Sequence, residues 1–291
     1  MTQIKIASWN VNSINARLEN LLFWLRTAKP DIALLQELKC EEGNFPGLMI
    51  AELGYNIAIF GQKSYNGVAI LSKFPIQDII KNLDLNDPQA RYIEAIVTVP
   101  CTPCLGGASL HQQTMGVHKN IRVASIYVPN GGAELAPNQK VNESDKFYYK
   151  MKFFDDLNKR FKDLTKYNEI AVFGGDYNVA LNDIDVYDPK GLKNSVCFHE
   201  DEQKKFRALL NLGYHDSFRM CNPNTQGFSW WDYRGNSWNF NKGMRIDYVL
   251  TSPKASDLLK SAFMDDKMMM EREKPSDHCP VNIILDLDGV N

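Results

Sequence analysis

Glu169-Ile170-Ala171-Val172-Phe173-Gly174-Gly175-Asp176-Tyr177-Asn178 is an apolar run that closes on an acid and an amide. Its two glycines permit a tight backbone turn just before the polar residues. Such a run reads as a strand buried on both faces of a sheet. Asp31-Ile32-Ala33-Leu34-Leu35-Gln36-Glu37 has the same plan, apolar throughout and ending in a carboxylate. A helix precedes each run. Ile14, Leu18, Leu21, Leu22 and Leu25 recur at helical spacing after a capping Ser13, and Pro30 stops that helix. Between Val141 and Leu164 the residues Phe147, Met151, Phe154, Leu157, Phe161 and Leu164 share one side, with the lysines on a solvated face. A short strand from Ile4 to Trp9, ending in Asn10, leads into the first helix. A right-handed crossover then makes Asn10 and Glu37 neighbours at one sheet edge. The second half repeats the plan, which predicts two sheets packed face to face with helices outside.

The remaining segments are shorter. Tyr55 to Phe60, Gly67 to Ser72, Ile76 to Lys81, Arg91 to Val99 and Ile121 to Pro129 read as a meander, with turns such as Tyr65-Asn66-Gly67. A loop through Pro189 and Cys197 leads to a helix from Glu200 to Asn211. Phe228 to Tyr233 and Arg245 to Leu250 are further strands. Lys274-Pro275-Ser276-Asp277-His278-Cys279-Pro280 is a polar loop feeding the alternating strand Val281-Asn282-Ile283-Ile284-Leu285. No linker is visible. Pro100 to Asn120 reads as a long hairpin loop. Its Cys101-Thr102-Pro103-Cys104 with His111 and His118 is a poor zinc site, because the histidine gap is too wide.

A chain of 291 residues folded as one domain hides about three quarters of its unfolded surface, so core size is no limitation. The formal net charge of -2 argues mildly against a protein held on nucleic acid by bulk charge, though a local basic rim is compatible with it. Nothing is apolar for long enough to span a membrane, and no secretory signal is visible at the start, so the expected location is the cytoplasm. The six cysteines are scattered and read as reduced thiols.

Asn10, Glu37, Tyr127, Asp176, Asn178, Asp247, Asp277 and His278 all stand at strand ends. A lone acid there is usually a cap or a turn residue; so many from separate segments point to a site. Carboxylates and amides with one imidazole and one phenol suit hydrolysis at phosphorus assisted by a hard cation, Mg²⁺ or Mn²⁺. Imidazole titrates near neutrality, which fits His278 for proton or phosphate chemistry.

These residues sit in Ser8-Trp9-Asn10-Val11-Asn12, Leu35-Gln36-Glu37-Leu38-Lys39, Tyr127-Val128-Pro129-Asn130-Gly131, Gly175-Asp176-Tyr177-Asn178, Phe228-Ser229-Trp230-Trp231-Asp232-Tyr233-Arg234, Arg245-Ile246-Asp247-Tyr248 and Pro275-Ser276-Asp277-His278-Cys279-Pro280. In this order the set resembles the exonuclease III family of apurinic/apyrimidinic (AP) endonucleases, within the endonuclease/exonuclease/phosphatase superfamily. The resemblance runs from about residue 4 to 287. It implies a single domain over 1-291, a four-layered α/β sandwich of two packed mixed β-sheets flanked by helices, with two similar halves at about 1-130 and 131-291.

The resemblance also implies a DNA-repair hydrolase. It would cut the phosphodiester 5′ to an abasic site with Mg²⁺ (or Mn²⁺), and carry 3′-5′ exonuclease and 3′-phosphodiesterase or phosphatase activity. Glu37 matches the principal metal ligand, with Asn10 and Asp277 nearby and Asp176 and Asn178 as a second position. Asp176 matches the residue that activates or orients the water, with the general base open between Asp176 and His278, and Asn178 holds the site together. Tyr127 and Asn130 match phosphate contacts, and His278 matches the phosphate-contacting imidazole that Asp247 orients. Trp230, Met244 and Ile246 fall at the pocket for the abasic sugar; Lys63, Tyr65 and Arg91 fall where relatives touch the DNA backbone. The segment from Asp183 to His199 occupies the place of a DNA-inserting loop. Asn12 departs from the family, standing where some relatives carry Asp. The expected partner is double-stranded DNA with abasic sites or 3′ ends, bound by a monomer in the cytoplasm, at the nucleoid in a bacterium. The alternatives are a superfamily phosphatase or phosphodiesterase acting on a non-DNA phosphoester, and a non-catalytic DNA-binding protein.

Overall fold

The computed structural model describes residues 2–101, 117–132 and 140–288. Its strands are β1 (Gln3–Asn10), β2 (Ile32–Gln36), β3 (Asn56–Phe60), β4 (Val68–Ser72), β5 (Ile76–Lys81), β6 (Tyr92–Cys101) and β7 (Val117–Tyr127). They continue with β8 (Ile170–Asp176), β9 (His215–Asp216), β10 (Trp230–Trp231), β11 (Gly243–Met244), β12 (Asp247–Thr251), β13 (Leu259–Met264) and β14 (Val281–Asp286). One six-stranded sheet runs β13-β14-β1-β2-β4-β3 and the other β5-β6-β7-β8-β12-β9. The short β10 and β11 form a separate ribbon.

The two sheets repeat one pairing pattern. In each, the third and fourth strands are parallel, β1 with β2 and β7 with β8. All other neighbours are antiparallel. Parallel neighbours need a crossover, and each pair has one: α1 (Leu18–Thr27) in the first, α3 (Asp145–Leu164) in the second. The short α2 (Gly47–Ala51) lies between β2 and β3. The equivalence relates sheet to sheet, and each sheet takes strands from both sides of residue 130.

Apolar side chains from both sheets, such as Ile6, Leu34, Val123 and Val172, fill the space between them. Trp24, Leu21 and Leu25 of α1 cover the outside of the first sheet with Trp9 and Leu35. Phe154, Leu157 and Phe161 of α3, with Phe206 of α4 (Glu200–Asn211), cover the outside of the second. The result is the four layers expected. β2 and β8 are buried at every residue, which is why their sequences show no alternation.

Local expectations were corrected in four places. α1 begins at Leu18, and Ser13 caps nothing. Ser13 instead has φ +82, and its N–H donates to the Glu37 carbonyl at 2.8 Å, so a long-range bond takes the residue away from the helix. Gly174 and Gly175 lie within β8 rather than in a turn. A Cβ at Gly174 would stand 2.7 Å from Leu34 Cδ1 and 2.9 Å from Ser8 Cβ; glycine here lets the sheets close. α3 starts at Asp145, where the Ser144 hydroxyl accepts from the Phe147 N–H. The strand expected over Phe228 to Tyr233 shrinks to Trp230–Trp231.

The Pro100–Asn120 hairpin closes on a Cys101–Val117 pair. Residues 102–116, with Cys104 and His111, lie outside the described residues. No helix among the described residues is long and apolar enough to cross a membrane.

Candidate active site

Strand register assembles the centre. In the second sheet Tyr127 and Asp247 are both cross-strand partners of Asp176, so the three stand in a row across β7, β8 and β12. The first sheet contributes Asn10 from the end of β1, and Glu37 follows β2 with φ +58. That left-handed conformation is uncommon for Glu and turns its side chain out of the strand path. Side-chain contacts at the site cross between the sheets. Asn10 Nδ2 donates to Asp176 Oδ2 at 3.0 Å. His278, just before β14, donates from Nδ1 to Asp247 Oδ2 at 2.9 Å, and its Nε2 lies 3.8 Å from Asp176 Oδ2.

Asp176 is further held by the Asn178 N–H, 2.9 Å from Oδ1. Asn178 has φ +52, receives Asn130 Nδ2 at 3.1 Å and donates to the Val128 carbonyl at 2.9 Å. Burial pushes the Asp176 carboxyl up to about 7, with the neighbouring Asp247 charge adding to it and His278 opposing it. For His278, burial alone would lower the pKa. The Asp247 and Asp176 carboxylates outweigh that and raise the ring to about 10. Burial, with Glu37 and Asp176 close by, holds the Tyr127 phenol far above its ordinary value. Asp247 Oδ1 is buried without a hydrogen-bond partner.

Beside this centre lies a second polar group. Lys39 Nζ is 3.2 Å from Glu37 Oε1 and donates to Asn12 Oδ1 at 2.6 Å. Asn12 Nδ2 donates to Asp277 Oδ1 at 2.8 Å, and Trp230 Nε1 to Asp277 Oδ2 at 3.1 Å. An amide at position 12 therefore keeps Asp277 tied to the Glu37 side. Among the described residues, the donor atoms of Asp176, Asp247 and His278 are near enough, within 4.8 Å, to share one ion. His278 is already committed to Asp247, which makes that trio a better proton-holding group than a cage. The donor set at the site suits a hard cation: it offers carboxylate and amide oxygens, while burial pushes the lining thiol of Cys197 up to about 12 and keeps it protonated.

Asn10, Glu37, Tyr127, Asn130, Asp176, Asn178, Asp277 and His278 line a cavity of about 320 Å³, while Asp247, Asn12 and Lys39 support it through their bonds to these lining residues. Trp230, Met244 and Ile246 form its apolar wall; Trp230 pairs with Met244 across the small ribbon and bridges to His278. Sequence reasoning did not single out Arg234, Val196 or Cys197 as lining residues. Arg234 follows Asp232, which pairs with it at 2.8 Å, and the Asp232-Tyr233-Arg234 sequence was the available signal. Tyr65 and Arg91 line a neighbouring cavity of about 560 Å³ that shares Asn130 with the first. Arg91 also stacks over the Tyr127 ring at 4.8 Å. Lys63 is exposed and lines neither cavity. The 183–199 segment is pinned at its start, where Asp185 accepts from Arg245 Nε at 2.8 Å and from Arg219 at 2.7 Å.

The chain belongs to the Endonuclease/Exonuclease/phosphatase family, whose model matches residues 7–278. It is 31% identical to exodeoxyribonuclease III of Haemophilus influenzae over 96% of this chain and 98% of that protein. Two solved structures are each 34% identical to it with a TM-score of 0.84. One is an AP endonuclease from Archaeoglobus fulgidus, covering 98% of this chain and 100% of its own. The other is the 3′ phosphatase NExo from Neisseria bound to a product DNA hairpin, covering 97% and 99%. These likenesses place the chain among hydrolases of the exodeoxyribonuclease III type.

Proposed function

We propose that this protein is a divalent-cation-dependent DNA-repair nuclease that cuts the backbone 5′ to abasic sites and trims or dephosphorylates 3′ ends. The observation that carries the reading is the apolar wall of Trp230, Met244 and Ile246 standing over the Asp176–His278 pair in one cavity. An abasic sugar has no base to keep it in the stack, and a pocket of this kind receives it once extruded. The named activities of the Haemophilus, Archaeoglobus and Neisseria relatives support both halves of the proposal.

In the mechanism we infer, Asp176 takes the proton of the attacking water, with Asn10 and the Asn178 N–H aiming its two oxygens. His278, oriented by Asp247, holds a phosphoryl oxygen. Tyr127 stays a phenol and donates to the same phosphate, and Asn130 adds an amide donor. Glu37, Asn10 and Asp277 would hold Mg²⁺ or Mn²⁺, with Asp176 and Asn178 as a second position. The ion supplies charge neutralisation at the phosphate and at the leaving oxygen. Tyr65 and Arg91 take flanking backbone phosphates along the adjoining cavity, and Lys63 takes one from the exposed surface outside it.

Incubation with a duplex carrying one synthetic abasic site, beside blunt, 3′-recessed and 3′-phosphate duplexes, tests this. Incision that needs Mg²⁺, stops with EDTA and is lost in Glu37→Ala and Asp176→Ala is expected. An untouched abasic strand together with turnover of a phosphoinositide overturns it in favour of a small-molecule phosphatase.

A further inference from the structure

Lys150 breaks the pattern of its helix. It lies on the buried face of α3 with no exposed side-chain surface, and so does its partner Glu202 of α4. An ammonium is rarely buried so completely unless it is paired. Lys150 Nζ donates to Glu202 Oε1 at 2.6 Å, to the Asn178 carbonyl at 2.7 Å and to the Asn130 carbonyl at 3.2 Å. Those carbonyls belong to the two residues that bond each other through their side chains at the mouths of β7 and β8. Glu202 in turn accepts from the His199 N–H at 3.1 Å and the Cys197 N–H at 3.4 Å, so the pair also grips the end of the 183–199 segment. Gly131 makes room for it: a Cβ there would meet Lys150 Cδ at 3.1 Å.

We propose that Lys150, clamped by Glu202, is a positioning residue for the site, fixing Asn178 and Asn130 and, through the Asn178 N–H, the Asp176 carboxylate. The inference rests on the nuclease reading above. Asn178 has φ +52, a left-handed conformation that asparagine tolerates and that several bonds hold here. At the strand mouths its N–H donates to Asp176, its side chain donates to Val128, and its Oδ1 accepts from Asn130 and the Cys197 thiol. The bond from Lys150 to its carbonyl comes from the α3 layer and locks the turn from behind. Lys150 touches neither the cavity nor the reacting atoms, so its effect reaches chemistry only through the aim of Asp176.

The test uses Lys150→Met, Glu202→Gln and the double variant Lys150→Met/Glu202→Leu in the full chain. Thermal midpoint, kcat and KM are read on the abasic duplex, and amide hydrogen exchange at Asn178 without substrate. Removing one partner strands a buried charge, whereas replacing both with apolar groups of similar volume is often neutral or stabilising. The double variant is therefore expected to regain midpoint relative to Lys150→Met, which strands the Glu202 carboxylate, while the backbone groups that lose these partners keep it below the wild type. Its kcat should stay down by about a hundredfold, the scale of a small misplacement of a reacting group. KM should move little, and Asn178 exchange should speed up. Recovery of kcat together with the midpoint overturns the proposal and leaves the pair a scaffold element. If the double variant does not fold, the single variants decide. Glu202→Gln leaves the ammonium on both carbonyls and should lose much less kcat than Lys150→Met; equal losses tracking the midpoint overturn it. Absence of any incision by the wild type defeats the nuclease reading instead, and the Asn178 exchange comparison then tests the clamp alone.

Discussion

His278 Nδ1 lies 2.9 Å from Asp247 Oδ2, and the two residues belong to different sheets: Asp247 opens β12, and His278 leads into β14. The bond fixes Nδ1 as a donor, because an ionised carboxylate can only accept. It leaves Nε2 facing Asp176 and the cavity.

Asp247→Asn is expected to cut kcat by roughly 10²–10³-fold with little change in KM. The amide can offer its N–H₂ to the ring and select the wrong tautomer. Single-turnover incision of an abasic duplex checks this, and a loss of binding with intact chemistry would refute it.

Without divalent ions, stability is expected to fall as pH rises from neutrality. His278 has its folded value raised to about 10 from an ordinary 6.5. The folded state holds that proton more tightly, so its contribution is complete below about 6.5 and is lost as pH climbs through about 10. Asp176, raised by burial to about 7, acts in the same direction at lower pH: keeping its charge buried costs more as it ionises. Urea midpoints in EDTA from pH 6 to 10 should decline, and the decline above neutrality should flatten in Asp247→Asn. A rising midpoint would contradict the assignment.

Trp230→Phe keeps a ring in the apolar wall but removes the indole N–H that Asp277 accepts at 3.1 Å. Losing such a supporting bond typically costs about 10–100-fold in metal affinity. A Mg²⁺ titration of activity should show a half-maximal concentration raised on that scale. An unchanged titration would separate Asp277 from the ion.

Phe154→Ala should destabilise the fold by about 3–5 kcal/mol. The ring is fully buried between α3 and the second sheet. Urea unfolding measures the loss directly.

Much of this architecture is legible in the sequence, because β2 and β8 are buried on both faces and their apolar runs admit few other readings. The polar residues that close those runs stand out only together: a lone acid at a strand end is usually a cap, whereas several from separate segments point to a site. What stayed hidden depends on distant partners. Ser13 has the composition of a cap, and only the bond to Glu37 diverts it. Gly174 looks like a turn glycine until Leu34 and Ser8 of the other sheet stand against it. Lys150 sits in a lysine-rich helix and reads as solvated, because its partner Glu202 lies 52 positions along the chain. Arg234 escaped notice because an exposed basic residue beside an acid is common on any surface.

The bonds that cross between the sheets have a further consequence. Asn10 reaches Asp176, and His278 reaches Asp247, only when the sheets are docked. A chain with either sheet formed alone would carry nearly every reactive side chain and possess no centre. Turnover therefore reports on docking itself: activity should vanish with the loss of sheet-to-sheet packing and not trail behind it. A ligand gripped from both sides acts as a rivet for the whole molecule.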